Sequence, residues 1–336
     1  MTASISNWRN SFFRGAEVKH KILVVEPEGY PPKAIEILRE VGEVLLCDRP
    51  EDPRAILASM SALAIRLKYK WDPQLLASAP DLKVIATATT GLDHIDLRTA
   101  EARGIKILSL KGETEFLKTI TSTAEHTWGL LLALLRHIPQ AHYSVTNGEW
   151  NRNLFFAKEL RGRTLGIVGL GRIGHMVARY GLVFGMRVVA YDPTQTEWIT
   201  EVERIENLPV FLGECDVCTI HIPLTSENDR FIGAREISEL KEGALLLNTS
   251  RGGILDERAL LDNLKNGHLA GAALDVINNE YATDDPLRRE LIEYAATHSN
   301  LIITPHIGGA SHDALERVEI FMAQKLALFL QNLEKV

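Results

Sequence analysis

The 336-residue chain is poor in cysteine and has no surplus of basic charge. Its three cysteines, Cys47, Cys215 and Cys218, are odd in number and sparse for such a length. They do not suggest the disulfide framework of a secreted domain, so a reducing, cytoplasmic setting is expected. Lysine and arginine number 37 against 44 aspartates and glutamates, a formal net charge of -7. That balance argues against the phosphate-neutralising footprint of a nucleic-acid binder and leaves small molecules as the expected partners. Long hydrophobic runs are missing too: the longest apolar stretch, Trp128 to Leu135, falls far short of the ~20 residues that span a bilayer, and no membrane partner is expected. Residues 1–20, with Trp8, Phe12 and Phe13 interrupted by Asn and Arg, lack the apolar segment of a secretory signal and read as an N-terminal arm.

Hydrophobic residues make up 46% of the chain and charged ones 24%, a globular composition. The length exceeds what one hydrophobic core usually serves, so two domains with a cleft between them are expected. From Lys21, short aliphatic runs alternate with helical stretches: Ile22 to Val25, Val44 to Leu46, Ala64-Ile65, Val84 to Ala86 and Ile105 to Leu108. Pro53, Pro73 and Pro80 fall at the joints, and the pattern implies βαβ units around a parallel sheet. A helix is expected over Thr123 to His137, capped from within Thr121-Ser122-Thr123. A second series follows at Leu165 to Val168, Val188 to Ala190, Val217 to Ile220, Ala244 to Leu247, Ala272 to Leu274 and Leu301 to Ile303. Six strands suit a complete dinucleotide-binding sheet. The fold class is therefore α/β, with two doubly wound, Rossmann-like parallel sheets. Residues 21–118 with the tail 307–336 form one expected domain, and 119–306 the other, the dinucleotide-binding one.

Gly169-Leu170-Gly171-Arg172-Ile173-Gly174 satisfies G-x-G-x-x-G directly between a strand and a helix. The first glycine permits a tight turn, the second lets the backbone approach a pyrophosphate, and the third lets helix and strand pack closely. Arg172 adds a charge nearby. Asp192 closes the next strand at the ~20-residue spacing expected of the acid that binds the ribose hydroxyls, and no arginine stands in Asp192-Pro193-Thr194 to receive a 2′-phosphate, so NAD is the expected cofactor. Reduction of a 2-oxo acid needs a cation for the carboxylate, a proton donor for the carbonyl oxygen and an acid that keeps the donor protonated. Arg251 in Asn248-Thr249-Ser250-Arg251-Gly252-Gly253, Glu280 after Asn278-Asn279, and His306 in Pro305-His306-Ile307-Gly308-Gly309 follow three strand ends where a ligand crevice forms. Alone, Arg251 reads as a surface ion-pair partner, Glu280 as a solvated loop acid and His306 as a structural histidine. The glycines beside Arg251 and His306 favour the site reading. Cys215 and Cys218 have a redox or metal spacing with no second pair, and His126, His137 and His142 have no local carboxylate cluster, so no metal is expected and core or interface roles are assigned to these histidines.

From Lys21 onward the chain resembles the D-isomer-specific 2-hydroxyacid dehydrogenase family. The matching pieces are Thr90 to Asp96, Ala124 to Thr127, Gly148 to Trp150, Gly169 to Gly174, His221 to Thr225, Asn248 to Gly253, Asp275 to Glu280 and Pro305 to Gly309, in that order. The resemblance implies that His306 exchanges a proton with the substrate oxygen, Glu280 pairs with it and Arg251 binds the substrate. It also implies that Asp275, Gly308, Thr249 and Ser250 lie at the nicotinamide, that His221, Pro223 and Thr225 line the adenosine side, and that Thr90 and Gly91, with Arg66 and Lys68, meet the remaining substrate. Expected substrates are 3-phosphoglycerate or its 2-oxo partner, hydroxypyruvate and glyoxylate. A NAD-sensing corepressor on the same fold is the competing reading. The Leu130 to Leu135 stripe reads as packing, and a homodimer is the expected assembly, with its two-fold interface on the helix of Thr123 to His137.

Overall fold

The computed structural model describes residues 20–47, 53–282 and 284–333, so the expected N-terminal arm lies outside the described residues but for His20. The described residues divide into two compact units, one formed by those up to Glu113 together with those from Leu315 onward, the other lying within Thr114–Ala314.

In the first unit, β1 (Lys21–Val24), β2 (Glu43–Leu46), β3 (Ala62–Ile65), β4 (Val84–Thr87) and β5 (Lys106–Leu108) pair in parallel in the order β2-β1-β3-β4-β5. The central strands β3 and β4 are buried throughout, which is why they read as unbroken apolar runs. Asp72 and Asp96 cap the helices Pro73–Ala77 and Leu97–Ala102 by accepting from Leu75 N–H and Thr99 N–H at 2.8 and 2.7 Å. Leu23, Leu57, Leu63, Trp71, Leu76 and Ile85 fill the core. The tail is one helix, His312–Leu333, tied to this unit by Lys325 Nζ donating to Ser109 O at 2.9 Å.

The second unit holds β6 (Thr164–Val168), β7 (Arg187–Tyr191), β8 (Glu203–Arg204), β9 (Val217–Ile220), β10 (Ala244–Asn248), β11 (Leu269–Leu274) and β12 (Leu301–Ile303), all parallel, in the order β12-β11-β10-β9-β6-β7-β8. The sheet has seven strands where the sequence led us to expect six. The extra one, β8, is two exposed residues long and carries no hydrophobic signature. The order reverses between β6 and β9, the position where an open α/β sheet leaves a ligand crevice beyond its carboxyl ends.

Helix Ser122–Leu135 begins as expected, but its Thr121 cap makes no side-chain bond to the helix backbone; its hydroxyl goes to Glu125 instead. His137 takes a left-handed conformation, φ 52°, and starts a second helix, Ile138–Thr146. Leu130, Leu131 and Leu134 are buried in the core of this unit against Leu165, Val177 and Ala273. The apolar stripe is internal packing, as the sequence led us to expect. Large exposed apolar side chains lie on the next segment instead: Ile138, Tyr143, Val145, Trp150, Leu154 and Phe156.

Candidate active site

The glycine-rich turn leaves β6 and opens the helix Arg172–Val183. Gly169 sits at φ 91°, where a side chain would be strained, and a Cβ on it would lie 2.5 Å from Ile222 Cγ2. A Cβ on Gly174 would lie 2.2 Å from Gly169 O, so this glycine lets the helix close onto the turn. Gly171, by contrast, faces open space, and no side chain caps the helix it begins. An uncapped helix N-terminus behind an unobstructed glycine fits the pyrophosphate of a dinucleotide. Ile173 packs against the core behind the turn. Arg172 donates through Nη1 to Ile120 O at 3.0 Å, and burial lowers its pKa from the usual arginine value.

Asp192 ends β7 and does two things at once. Its Oδ2 accepts from Leu170 N–H at 2.9 Å, pinning the glycine-rich turn, while Oδ1 accepts from the backbone N–H groups of Thr194 and Gln195. A cavity of about 270 Å³ beside it is lined by Tyr191, Pro193, Arg204, Ile205 and Glu206. The unforeseen strand β8 thus brings an arginine near the acid; Arg204 pairs with Glu206 at 3.3 Å and lies over Trp198. After β9, His221 contacts Thr219 Oγ1 at 2.9 Å, and burial pushes its pKa down to about 3, so its ring is neutral. The Pro223 to Thr225 segment, with Leu224 packed against the core between two exposed residues, is closed by Asn228, which donates to Pro223 O and accepts from Thr225 N–H.

Beyond β10, the fully buried Asn248 shapes the turn that carries Arg251: its Nδ2 donates to Arg251 O at 2.9 Å, and its Oδ1 accepts from Ser250 N–H and Oγ–H. Thr249 Oγ1 lies 2.8 Å from Thr127 Oγ1; since the Thr127 hydroxyl donates to Thr123 O, Thr249 is the donor of that pair. Arg251 is half-buried, with Nη1 on Ser250 O.

Glu280 and His306 meet. His306 Nδ1 lies 2.9 Å from Glu280 Oε2, with the two side chains about one-fifth exposed, 19% and 23%. A carboxylate only accepts, so Nδ1 carries the proton and Nε2 is left for a substrate oxygen. The loops that present them are unusual: Asn279 and His306 both adopt left-handed backbone, φ 52° and 54°. Asp275, 1% exposed, accepts at Oδ1 from Thr304 Oγ–H and Ile307 N–H, and at Oδ2 from Gly308 N–H at 2.7 Å. A Cβ on Gly308 would come within 2.9 Å of that oxygen. Strands β10, β11 and β12 are adjacent, so the Arg251 turn and the His306 turn arise on strands about 10 Å apart.

The sequence reading missed two participants. His126, assigned there to core or interface, places Nε2 3.1 Å from Asp275 Oδ1 and 3.0 Å from Thr304 Oγ1. Glu257 accepts from Asn278 N–H beside the Glu280 loop. Among the described residues no group of three or more His, Cys, Asp or Glu side chains is arranged to hold a metal ion. All three cysteines are buried and none is held in a disulfide; the hydrogen bond to Cys218, together with burial, raises the Cys215 pKa and keeps that thiol protonated.

In the first unit, Arg66 donates from Nε to Glu319 at 2.6 Å and from Nη1 to Glu28 O at 2.8 Å, and lies over the Tyr30 ring. Glu319 is 2% exposed, and burial raises its pKa. Lys68 is exposed, its Nζ over the Tyr69 ring. Thr90 is exposed, and Gly91 O accepts from Thr89 Oγ–H at 2.7 Å, which holds the turn after β4.

Residues 128–308 match the family model described as D-isomer specific 2-hydroxyacid dehydrogenase, NAD binding domain. A hydroxypyruvate reductase of Thermotoga maritima is 37% identical over 271 residues, covering 81% of this chain and 85% of that protein. A D-3-phosphoglycerate dehydrogenase of Methanocaldococcus jannaschii is 36% identical over 93% of this chain, which spans only 58% of the relative. Among solved structures, a D-lactate dehydrogenase from Aquifex aeolicus complexed with NAD and lactic acid superposes with a TM-score of 0.81 at 30% identity, covering 94% of this chain and 97% of that one. The chain belongs to the D-isomer-specific 2-hydroxyacid dehydrogenase family, and its cofactor is NAD.

Proposed function

We propose that the protein reduces a short 2-oxo acid to the D-2-hydroxy acid, and catalyses the reverse, with His306 as the general acid and base. The observation that carries this reading is the His306–Glu280 contact of 2.9 Å on the strand ends next to Arg251, in the unit whose glycine-rich turn fits a dinucleotide. Bound NADH supplies the hydride. His306 delivers its Nε2 proton to the carbonyl oxygen, Glu280 stabilises the imidazolium before transfer, and the Arg251 guanidinium holds the carboxylate. Gly169 to Gly174 and Asp192 hold the dinucleotide; Thr249, Ser250, Asp275 and Gly308 form its nicotinamide end, and His221, Pro223 and Thr225 its adenosine end.

For the far end of the substrate, this reading assigns Arg66, Lys68, Thr90 and Gly91. Arg66 already spends Nε on a buried carboxylate, Glu319, and Glu26 Oε1 accepts from its backbone N–H. Two acids thus offset the two cations, which favours hydroxypyruvate or glyoxylate over a phosphorylated acid. The likeness to a hydroxypyruvate reductase over most of both chains supports the same choice. The exposed apolar segment at 138–156, with a cavity of about 570 Å³ lined by Arg136, Ile138, Val145 and Trp150, supports a homodimer closed by a two-fold axis. Three buried thiols held in no disulfide suit a cytoplasmic protein.

The test is steady-state oxidation of NADH with hydroxypyruvate, glyoxylate, pyruvate and 3-phosphohydroxypyruvate, on the wild type and His306→Ala. Hydroxypyruvate or glyoxylate is expected to give the highest kcat/KM, with a fall of about 100-fold or more in the variant. Wild-type turnover by His306→Ala removes the histidine from the mechanism. Absence of turnover with every acid leaves a NAD-binding protein.

A further inference from the structure

Glu257 is the first residue of the helix Glu257–Lys265 and is 3% exposed, yet the roles above do not use it. Its Oε1 accepts the backbone N–H of Asn278 at 2.5 Å. Asn278 stands two residues before Glu280, and the left-handed Asn279 lies between them. The same stretch of loop is touched from a second direction: a Cβ on Gly252 would fall 2.1 Å from Ile277 C and 2.4 Å from Asn278 N. The chain therefore leaves Arg251, presses Gly252 onto the Glu280 loop, makes a short turn of 3-10 helix over Gly252–Ile254, and returns to grip that loop through the Glu257 carboxyl group.

The grip comes from a rigid element. Asp256 caps the helix by accepting from Ala259 N–H at 3.0 Å, its own N–H donates to Ile232 O at 3.0 Å, and Leu260 and Leu261 are fully buried. Burial pushes the Glu257 pKa up to about 7; the carboxylates of Asp285 and Asp256 act in the same direction, and the Asn278 N–H opposes them. Ionised, an acid buried at this cost adds little to stability, but a charged or strongly polar acceptor fixes the place of a backbone N–H well.

We propose that Glu257 is a positioning residue that holds the Arg251 turn and the Glu280 loop in one register, so that the substrate cation and the partner of His306 are presented as a unit. The inference rests on the catalytic reading above. It concerns the presentation of Glu280 and Arg251 and leaves the glycine-rich turn on β6 alone, so NADH affinity is a separate readout.

The experiment compares kcat, KM for hydroxypyruvate and NADH affinity by fluorescence titration for the wild type, Glu257→Ala, Glu257→Gln and His306→Ala. Glu257→Ala leaves Asn278 N–H without its acceptor and is expected to lower kcat by about 10- to 100-fold, with NADH affinity within about twofold of wild type. Glu257→Gln keeps an oxygen acceptor at the same reach and is expected to restore kcat to within about threefold. If the alanine variant does not fold, Glu257→Asp, whose acceptor recedes by one methylene, is expected to show the same loss. Wild-type kcat in a folded alanine or aspartate variant overturns the proposal. So does a glutamine variant as impaired as alanine, or a parallel loss of NADH affinity, either of which marks a merely structural residue. Those outcomes leave the mechanism intact, whereas wild-type turnover by His306→Ala discards the reading on which the proposal rests.

Discussion

Asp275 holds His306 in place from two sides of the same residue: its carbonyl oxygen accepts the His306 N–H at 2.8 Å, and its carboxylate accepts the N–H groups of Ile307 and Gly308 that follow. The left-handed backbone of His306 costs on the order of 1–3 kcal/mol for a residue with a side chain, and this set of bonds is what sustains it. The acid thus shapes the turn that aims the imidazole.

Asp275→Asn tests that relationship. An amide offers one acceptor oxygen where the carboxylate offers two, so its NH2 group must face a donor, either Gly308 N–H or the Thr304, Ile307 and His126 set. We expect a loss of about 1–3 kcal/mol in denaturant-derived stability. A fall of about tenfold or more in kcat is expected from the misplaced turn. Full activity in the asparagine variant would show that the turn holds itself.

Asp192 pins the glycine-rich turn, and the proposed function also gives it the choice of cofactor. Asp192→Ala removes the charge that repels a 2′-phosphate and leaves Arg204 on β8 as the nearby cation. The kcat/KM ratio of NADPH to NADH is expected to rise by about tenfold or more. Adding Glu206→Gln, which frees Arg204 from its partner at 3.3 Å, is expected to raise it further. A ratio unmoved in both variants would place the selectivity elsewhere.

Glu257 gives stability a pH dependence of definite sign. Its pKa is raised from 4.5 to about 7 in the folded chain, so the folded state holds this proton more tightly than the unfolded one. The stabilisation is complete below pH 4.5 and is lost as pH rises through about 7, up to roughly 3 kcal/mol in all. Glu257→Gln abolishes that loss. The difference in Tm between variant and wild type is expected to be more favourable to the variant at pH 8.5 than at pH 5, and equal differences at the two pH values would contradict the burial argument.

Arg66 and Glu319 form an ion pair of 2.6 Å, and under the proposed function that pair sets the charge offered to the far end of the substrate. Glu319→Gln removes the negative member and leaves the guanidinium uncompensated. The kcat/KM for 3-phosphohydroxypyruvate relative to hydroxypyruvate is expected to rise several-fold, on the scale of about 1 kcal/mol for a partly screened charge. If the ratio is unchanged, Arg66 does not face the substrate.

Much of this architecture is legible along the chain because its signals are local. The glycine hexamer, Asp192 at the end of the next strand, and the strand ends that carry Arg251 and His306 are set by periodicity and short spacing. What escaped was written in distant partners. His126 and Asp275 stand 149 positions apart, so nothing near His126 announces its acceptor. Nothing along the chain shows that the Asn248 amide bonds Ser250 and Arg251 O, or that Glu257 accepts from the N–H of Asn278, 21 positions on. The two-residue strand β8 is too short and too polar to carry a pattern.

The residues assigned to the dinucleotide and to the chemistry in 114–314 leave the carboxyl ends of β6, β7, β9, β10, β11 and β12. The turns entering those strands at the opposite rim, such as Arg161 to Arg163, Lys241 to Gly243 and Asn266 to His268, carry none of them. That rim is the place to attach a label or splice in a sensor domain, where inserted chain perturbs folding without reaching the chemistry.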